Sequence, residues 1–359
     1  MAPPPFVRPT VRDMEGYTPG EQPAPGERVV KLNTNENPFP PSPNVMRAIR
    51  EIEPELLRRY PNPTADMFRD AAAGVLGVTR DMIIAGNGSD DILTIATRTF
   101  LAPGDALTAP EPTYSLYPVL ARLEEAKYTP VKWDEDWALP TEKLIATGAR
   151  AIYLANPNAP SGTYVSPMKV AELAREFEGV ILVDEAYVDF ADDSCLMLVE
   201  QHDNVIISRS FSKAYSLAGL RFGYAVARPN IIEQMMKVKD SYNCDAIAIA
   251  AATAAILDQD YAKETWDRVR SERQRLSSEL TQMGWNVLPS QANFILAGPP
   301  TGKGKDAYLG LKQQGILVRY FDKPGLSDKI RITVGTSQEN NALLGGIKAL
   351  TAAEKPVLI

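Results

Sequence analysis

A lysine in a turn of small and hydroxyl-bearing residues is the group in this sequence best suited to covalent chemistry. Lys213 follows the apolar run 205–207 and precedes a second one, 224–227, and both runs are typical of buried strands. A sheltered turn removes water from the lysine, and Arg221 adds a cation eight positions further on. Both effects lower the pKa of an amine, which makes it a nucleophile toward carbonyl carbons. A lysine alone is more often a solvated loop residue, so the rest of the chain must decide.

Groups suited to binding a phosphate lie in the same stretch. Ser210 and Ser212 supply hydroxyl donors, and Arg221 supplies a planar fork of N–H donors that matches phosphate oxygens. An amine that attacks an aldehyde beside a phosphate clamp is the chemistry needed to hold pyridoxal 5'-phosphate as a Schiff base. The stretch therefore predicts this cofactor.

A second candidate phosphate site opens a helix earlier in the chain. The turn 86–91 contains Gly88 followed by Ser89 and Asp90, ahead of a predicted helix that ends near Phe100. Free backbone N–H groups and the positive end of the helix dipole favour anions at such a position. Ser and Asp are also the usual N-cap residues, so this motif alone is weak evidence.

A carboxylate and two tyrosines follow the ends of other predicted strands. Asp184 comes directly after the apolar run 180–183, where burial of a charge is costly unless the charge is paired. A protonated pyridine nitrogen would be such a partner, and Tyr187 is close enough in sequence to reach the ring oxygen of the same cofactor. Tyr114, at another strand-to-helix turn, is placed to stack on a flat ring, although an isolated tyrosine more often serves packing.

Composition excludes several classes of function. The chain has 359 residues, 45% of them hydrophobic, and a formal net charge of -7, so no basic surface favours nucleic acid. Its single histidine, His202, makes a Ser-His-Asp site or a histidine-rich zinc site a poor explanation. Cys195 and Cys244 show no metal or redox spacing, and no apolar run is long enough to span a bilayer. We expect a cytoplasmic protein without a bound metal.

Helices and strands alternate from about residue 65, which predicts a mostly parallel sheet covered by helices. A long helix over 262–283 leads to a smaller C-terminal α+β domain. There Arg319 and Arg331 lie on short strands, where an arginine beside a cleft suits anion recognition but also occurs as an ordinary surface charge. We expect an N-terminal arm over 1–35, a large domain over 36–260 and a small domain over 261–359.

Taken in order, the motifs resemble those of the fold-type I aminotransferases that use pyridoxal phosphate. The segments that carry the closer resemblance, to the class II histidinol-phosphate aminotransferase family, are 17–20, 33–38, 59–61, 184–187, 212–214, 218–221 and 331–336. The resemblance covers nearly the whole chain. It implies an α/β fold with a seven-stranded, mostly parallel sheet in the large domain, an arm that packs on the small domain and on a partner, and a homodimer with shared active sites.

The resemblance also implies roles for individual residues. Lys213 would hold the cofactor and move a proton at the substrate's alpha carbon, with Asp184 at the pyridine nitrogen and Tyr187 at the ring oxygen. The implied cofactor-binding residues are Lys213, Gly88, Ser89, Asp90, Tyr114, Asn158, Asp184, Tyr187, Ser210, Ser212, Arg221 and, from the other subunit, Tyr60. The implied substrate-binding residues are Arg331 and Arg319 for the anionic group, and Tyr17, Tyr242 and Asn243 near the imidazole.

Two positions depart from the family pattern. The asparagine usual just before Pro160 is Ala159 here, so the contact to the cofactor's ring oxygen falls to Asn158 or to Tyr187 alone. Asp245 stands where related sequences often carry asparagine, near the predicted imidazole site. The second change bears on the preference for an imidazole substrate.

The sequence thus predicts transamination between L-histidinol phosphate and 2-oxoglutarate in histidine biosynthesis. An aromatic amino acid aminotransferase is the main alternative, because paralogues share almost all of these motifs. A threonine-phosphate decarboxylase is less expected, and a non-catalytic protein that keeps the cofactor as a structural element belongs to a different class. Intact Lys213, Asp184 and Arg221 speak against the last of these.

Overall fold

The computed structural model describes residues 4–18, 20–24 and 26–353. Its α-helices are α1 (Pro9–Arg12), α2 (Pro43–Arg50), α3 (Pro54–Leu57), α4 (Asp66–Leu76), α5 (Ser89–Phe100), α6 (Tyr117–Leu123), α7 (Thr141–Ala146), α8 (Pro167–Glu176), α9 (Leu198–Gln201), α10 (Pro229–Val238), α11 (Ala246–Leu257), α12 (Gln259–Gln282), α13 (Gly304–Gln313) and α14 (Ser337–Ala353). Its strands are β1 (Val30–Lys31), β2 (Ile83–Gly86), β3 (Ala106–Glu111), β4 (Lys127–Lys132), β5 (Ala151–Ala155), β6 (Val180–Asp184), β7 (Val205–Ser210), β8 (Gly223–Val226), β9 (Asn286–Val287), β10 (Phe294–Gly298), β11 (Ile316–Leu317), β12 (Arg319–Tyr320) and β13 (Ile330–Thr333).

A seven-stranded sheet forms the centre of the larger part of the molecule. Its strands lie in the order β2-β8-β7-β6-β5-β3-β4, and only β8 runs antiparallel to its neighbours. Every residue of β5 and β6 is buried, since apolar clusters cover both faces of the sheet. Burial on both faces explains why these strands have continuous apolar sequences. The predicted helix-covered, mostly parallel sheet is confirmed.

A four-stranded antiparallel sheet, in the order β12-β13-β10-β9, lies beyond the long helix α12. The N-terminal segment joins this part of the molecule through β1, which pairs in parallel with β11, and Leu32 is buried in the same apolar cluster. The short strands predicted to carry Arg319 and Arg331 are β12 and β13. The separate apolar clusters support a division of the chain near residues 35 and 260, and that division remains a prediction.

Several elements of the large sheet region are not marked in the sequence, and β4 and α7 are two examples. The edge strand β4 has only one buried residue of its six, so no apolar run marks it. The short helix α7 likewise buries only Leu144. Among the described residues, no helix combines the length and the apolar composition that crossing a bilayer requires.

The turn that carries Lys213 rests on an aromatic cluster beneath it. Phe211 and Phe222, at the two ends of the turn, are joined by a backbone hydrogen bond of 3.0 Å from Phe211 N to Phe222 O. Both rings pack edge-on against Phe68 of α4, with centroids 5.5 and 4.6 Å away, and all three side chains are fully buried. The helix α4 thus fixes the base of the turn.

We expect Phe68→Ala to destabilise the protein by about 3–5 kcal/mol, because it removes a buried ring and leaves a cavity under the Lys213 turn. The measurement is the free energy of unfolding in chemical denaturant. The exposed residue Met168 on α8 provides the control, and Met168→Ala should leave this free energy nearly unchanged. Equal stabilities for the two variants would contradict the structural role assigned to Phe68.

Candidate active site

A cleft of about 900 Å³ lies between the carboxyl ends of the large sheet's strands and the small sheet. Most of the site residues predicted from the sequence line it, although they come from distant parts of the chain. These lining residues are Tyr17, Ser89, Asp90, Tyr114, Asp184, Tyr187, Ser210, Ser212, Lys213, Arg221, Arg319 and Arg331. The parallel strands place their carboxyl ends at one edge, which is the usual ligand site of such sheets.

Lys213 has the properties of a nucleophile. Its Nζ donates a hydrogen bond of 3.0 Å to the backbone oxygen of Thr34. Burial lowers its pKa to about 8, helped by the nearby cation Arg331, while Glu36 and Asp90 act in the opposite direction. At pH 8 about half of these amines would be neutral, and the neutral amine is the form that attacks carbonyl carbons.

The predicted phosphate site is assembled around Arg221. Its Nη1 donates to Ser212 Oγ at 2.9 Å, and its Nη2 donates to Asp90 Oδ2 at 3.3 Å. Ser210 Oγ accepts the backbone N–H of Ser212 at 3.1 Å, so the two serines belong to one hydrogen-bonded turn. Ser89 begins the helix α5 beside them. A guanidinium, hydroxyl groups and a helix N-terminus therefore converge, which is a suitable arrangement for a phosphate.

Two glycines allow this close approach. Gly88 has φ +90°, and a Cβ built there would lie 2.7 Å from Nη2 of Arg221. A Cβ at Gly223, the first residue of β8, would lie 2.5 Å from the backbone nitrogen of Ser89. Any larger residue at either position would push the arginine or the helix start away. Gly88 thus lies behind the phosphate site and does not itself line the cleft.

Asp184, at the end of β6, is a buried carboxylate without a cationic partner in the described part of the chain. Its Oδ2 accepts from Tyr117 Oη at 3.0 Å, and its Oδ1 accepts from Ser208 Oγ at 3.1 Å. Burial raises its pKa to about 6, and the two hydroxyl donors partly oppose that rise. Above pH 6 the carboxylate is ionised, so a cation placed beside it in the cleft would be strongly stabilised.

Tyr187 and Tyr114 stand on either side of the same region. Tyr187 Oη accepts a hydrogen bond of 3.0 Å from Asn35 Nδ2, and Lys213 Nζ lies 5.9 Å from the centre of the Tyr187 ring. Tyr114 Oη donates to Asp90 Oδ1 at 3.0 Å. Burial raises the pKa of both phenols, so both remain protonated at neutral pH.

A pair of arginines forms the other end of the cleft. Arg319 on β12 and Arg331 on β13 are opposite each other in the antiparallel pair. Arg331 donates from Nη2 to the backbone oxygen of Asn33 at 3.0 Å, whereas its buried Nε has no hydrogen-bond partner in the described structure. Burial lowers the pKa of Arg331, and the like charge of Arg319 acts in the same direction. Both effects would be relieved by an anion, so this end of the cleft suits anion binding.

Comparisons with known proteins agree with this geometry. The family model for aminotransferase class I and II matches residues 27–347. The histidinol-phosphate aminotransferase 1 of Trichormus variabilis is 46% identical over 96% of this chain and 99% of its own length. The chain belongs to the class I and II aminotransferases, within the histidinol-phosphate aminotransferase family. The corresponding enzyme of Rhodopirellula baltica is 44% identical over 94% of this chain and 93% of its own.

Solved structures place this aminotransferase in fold type I. The crystal structure of histidinol-phosphate aminotransferase from Sinorhizobium meliloti, in complex with pyridoxal-5'-phosphate, matches it with a TM-score of 0.87. That match has 26% sequence identity and covers 97% of this chain and 99% of the other. The predicted fold and family are therefore confirmed.

Besides Gly88, four predicted site residues of this aminotransferase lie outside the cleft lining: Tyr60, Asn158, Tyr242 and Asn243. Asn158 donates to Pro112 O at 3.1 Å and to Ser161 Oγ at 2.8 Å, which uses its amide within a buried turn. Asn243 donates to Asp91 Oδ2 at 2.9 Å, in the first turn of α5. Tyr60 stacks on Tyr242 with centroids 4.5 Å apart. Their predicted roles remain predictions.

Sequence reasoning missed three residues that position the site of this aminotransferase. Tyr117 and Ser208 bind Asp184, and Asn35 binds Tyr187. Ser208 was open to prediction, because it pairs with Asp184 in the register of β6 and β7. Tyr117 and Asn35 approach from other segments, and no local pattern marks their contacts.

The lowered pKa of Lys213 predicts the pH at which its amine reacts in the cofactor-free protein. Reductive methylation of Lys213, followed by mass spectrometry, should reach half of its maximal rate near pH 8. Arg331→Gln removes a cation and should raise this midpoint, whereas Glu36→Gln removes an anion and should lower it. Shifts in the same direction for both variants would contradict the electrostatic account.

Proposed function

We propose that this aminotransferase exchanges the amino group between L-histidinol phosphate and 2-oxoglutarate, with pyridoxal 5'-phosphate as cofactor, in histidine biosynthesis. The observation that carries the proposal is the presence of Arg319 and Arg331 in the same cleft as Lys213. Relatives that bear the name histidinol-phosphate aminotransferase, at 46% and 44% identity, support the choice of substrate.

The residues of the cleft fit the proposed cofactor. The site around Arg221 offers N–H and hydroxyl donors for its phosphate, and Asp184 offers an unpaired carboxylate for its pyridinium. Tyr187 would contact the ring oxygen, and Tyr114 would lie against the ring. The Lys213 amine would hold the group covalently. When bound, the cofactor supplies an electron-withdrawing ring that stabilises negative charge at the substrate's alpha carbon.

Lys213 would act as the base that takes a proton from the substrate's alpha carbon. A pKa of about 8 allows the amine to accept and release a proton near neutral pH. The bond to the Thr34 carbonyl holds Nζ on the cleft side of its turn. Ionised Asp184 would keep the pyridine nitrogen protonated, while Tyr117 and Ser208 hold that carboxylate in place.

One arginine pair would serve both substrates. Arg331 and Arg319 would bind the phosphate of histidinol phosphate in one half-reaction and a carboxylate of glutamate or 2-oxoglutarate in the other. The unpartnered Nε of Arg331 supports this role, because a buried donor without an acceptor is costly until a ligand supplies one. Tyr17, which lines the cleft, would contact the imidazole together with Tyr242 and Asn243.

We further propose that the active form is a cytoplasmic homodimer in which Tyr60 reaches the cofactor phosphate of the partner subunit. Tyr60 is 81% exposed, and Leu56 and Leu57 of the preceding helix α3 are also exposed. Such a cluster of exposed apolar side chains is typical of a surface that a second protein covers. Asn158 would help to bind the cofactor indirectly, because its amide holds the buried turn beside the cofactor ring.

A substrate panel tests the proposed reaction. Purified, cofactor-loaded protein should turn over histidinol phosphate faster than phenylalanine, and it should not release carbon dioxide from phosphothreonine. Faster turnover of phenylalanine would identify an aromatic aminotransferase, and decarboxylation of phosphothreonine would identify a decarboxylase. Bound cofactor without turnover of any donor would indicate a non-catalytic binding protein.

Removal of the lysine tests its role directly. Lys213→Ala should lower turnover by about 10²–10⁴-fold, because it removes the proposed base. The exposed Lys127 on β4 gives the control, since Lys127→Ala should leave turnover unchanged. Borohydride reduction of the loaded wild-type protein should attach the cofactor to the peptide that carries Lys213, as read by mass spectrometry. Attachment to another lysine would refute the assignment.

Mixed dimers test the shared site. Tyr60→Phe should weaken cofactor binding by about tenfold, because it removes one hydrogen bond to a charged phosphate. A dimer of one Tyr60→Phe subunit and one Lys213→Ala subunit would then contain one fully intact site if Tyr60 acts across the interface. Such dimers should show about half of the wild-type cofactor binding at normal affinity. If Tyr60 acts within its own subunit, neither site is intact and no such fraction appears.

A further inference from the structure

Asn35 contacts Tyr187 from a segment that is fixed to the small sheet. Its Nδ2 donates to Tyr187 Oη at 3.0 Å, and only 1% of the residue is exposed. The backbone N–H of Asn35 donates to Thr333 Oγ1 at 3.0 Å, and its carbonyl accepts from Asn293 Nδ2 at 3.0 Å. Both partners lie at the small sheet, so the position of the Asn35 side chain is set by that sheet.

The same contacts set the direction of the bond to Tyr187. Thr333 Oγ1 accepts from the backbone of Asn35, and it donates its own proton to Asn35 Oδ1 at 3.1 Å. The amide oxygen is therefore occupied as an acceptor, and the amide nitrogen faces Tyr187. An amide nitrogen can only donate, so Tyr187 Oη must accept this hydrogen bond.

The proton of Tyr187 is then free for another acceptor. No described residue accepts it, and Tyr187 lines the cleft. A ligand oxygen in the cleft is thus the remaining partner for this proton. A hydroxyl that already accepts one hydrogen bond is also a stronger donor in its own bond, because the two bonds polarise each other.

The position that would supply a second donor is apolar in this chain. Ala159 lines the same cleft with a methyl group, which offers no hydrogen-bond donor. The neighbouring Asn158 amide is bound to Pro112, Ser161 and Thr113. A hydrogen bond to the ring oxygen of the cofactor therefore depends on the Tyr187 hydroxyl.

We propose that Asn35 is a positioning residue that directs the Tyr187 hydroxyl proton toward the ring oxygen of the bound cofactor and so compensates for the amide that Ala159 lacks. The inference rests on the proposed pyridoxal-phosphate function. The relay runs from Thr333 on β13 through Asn35 to Tyr187, which follows β6. It therefore links the small sheet to the cofactor bound at the large sheet.

The pH at which the bound cofactor changes colour reports on this contact. A hydrogen-bond donor at the ring oxygen stabilises negative charge there and favours loss of the proton that the oxygen shares with the lysine nitrogen. A misdirected Tyr187 donor should therefore raise the pH of the colour change. Because the lost hydrogen bond is one to a charged group, a rise of about one pH unit is expected.

The experiment titrates the absorbance of four cofactor-loaded variants against wild type. Asn35→Ala should raise the midpoint of the colour change by about one pH unit, and Thr333→Val should raise it by less, since the amide remains but can rotate. Adding Ala159→Asn to Asn35→Ala should return the midpoint toward that of wild type. Asn340→Ala is the matched control: this buried asparagine of α14 donates to the Gly335 backbone oxygen at 3.0 Å, lies outside the cleft lining, and the midpoint should not move.

Thermal unfolding of the cofactor-free variants separates positioning from simple destabilisation. If Asn35→Ala lowers the melting temperature but leaves the colour midpoint unchanged, the inference is overturned while the proposed function stands. If the colour midpoint of Asn35→Ala stays equally raised after Ala159→Asn is added, the inference is also overturned, since the two positions would then act independently. Wild-type protein that takes up no coloured cofactor would instead refute the proposed function, and the inference with it.

Discussion

Burial of charged groups without ion-pair partners is the constraint on which this cleft depends. Asp184 is held by two hydroxyl groups, and its pKa of about 6 means that its ionisation costs stability increasingly from about pH 4 and in full above about pH 6. Relative to an ordinary aspartate, the cost is about 3 kcal/mol at neutral pH. Lys213 and Arg331 are destabilised as cations by the same loss of water. Each of these costs is reduced when a ligand of opposite charge, or a covalent partner for the amine, enters the cleft.

A rigid frame is what prevents these groups from relaxing toward solvent or toward each other. The strands that carry Asp184 and the Lys213 turn are buried within the seven-stranded sheet. The turn is supported from below by the aromatic cluster around Phe68. At the phosphate site, Gly88 allows the Arg221 guanidinium to approach the backbone, and Gly223 allows the close approach of the start of α5. Packing therefore converts unfavourable electrostatics into a site arranged in advance for its ligands.

The parts of the site that the sequence predicted are those tied to strand ends. Lys213 and Asp184 each follow an apolar run, and parallel strands bring such positions together at one edge. The fold was predictable for the same reason, except where strands lie at an edge and lack apolar runs, as β4 does. Apart from Ser208, which pairs with Asp184 on the neighbouring strand, contacts between side chains of distant segments were not predictable. Asn158 was the natural candidate beside Ala159 by sequence proximity, yet its amide is used within its own turn, and Asn35 contacts Tyr187 instead.

The segment 33–35 joins the functional groups of both sheets. The backbone oxygen of Asn33 accepts from Arg331, the backbone oxygen of Thr34 accepts from Lys213, and the side chain of Asn35 donates to Tyr187. Leu32, just before it, is buried in the core of the small sheet. These three hydrogen bonds therefore couple the position of the anion site to the amine and the tyrosine, which the large sheet holds. An enzyme that binds two different anions in turn needs this property, because the distance between the bound anion and the reacting carbon must be kept within the narrow range that proton transfer requires.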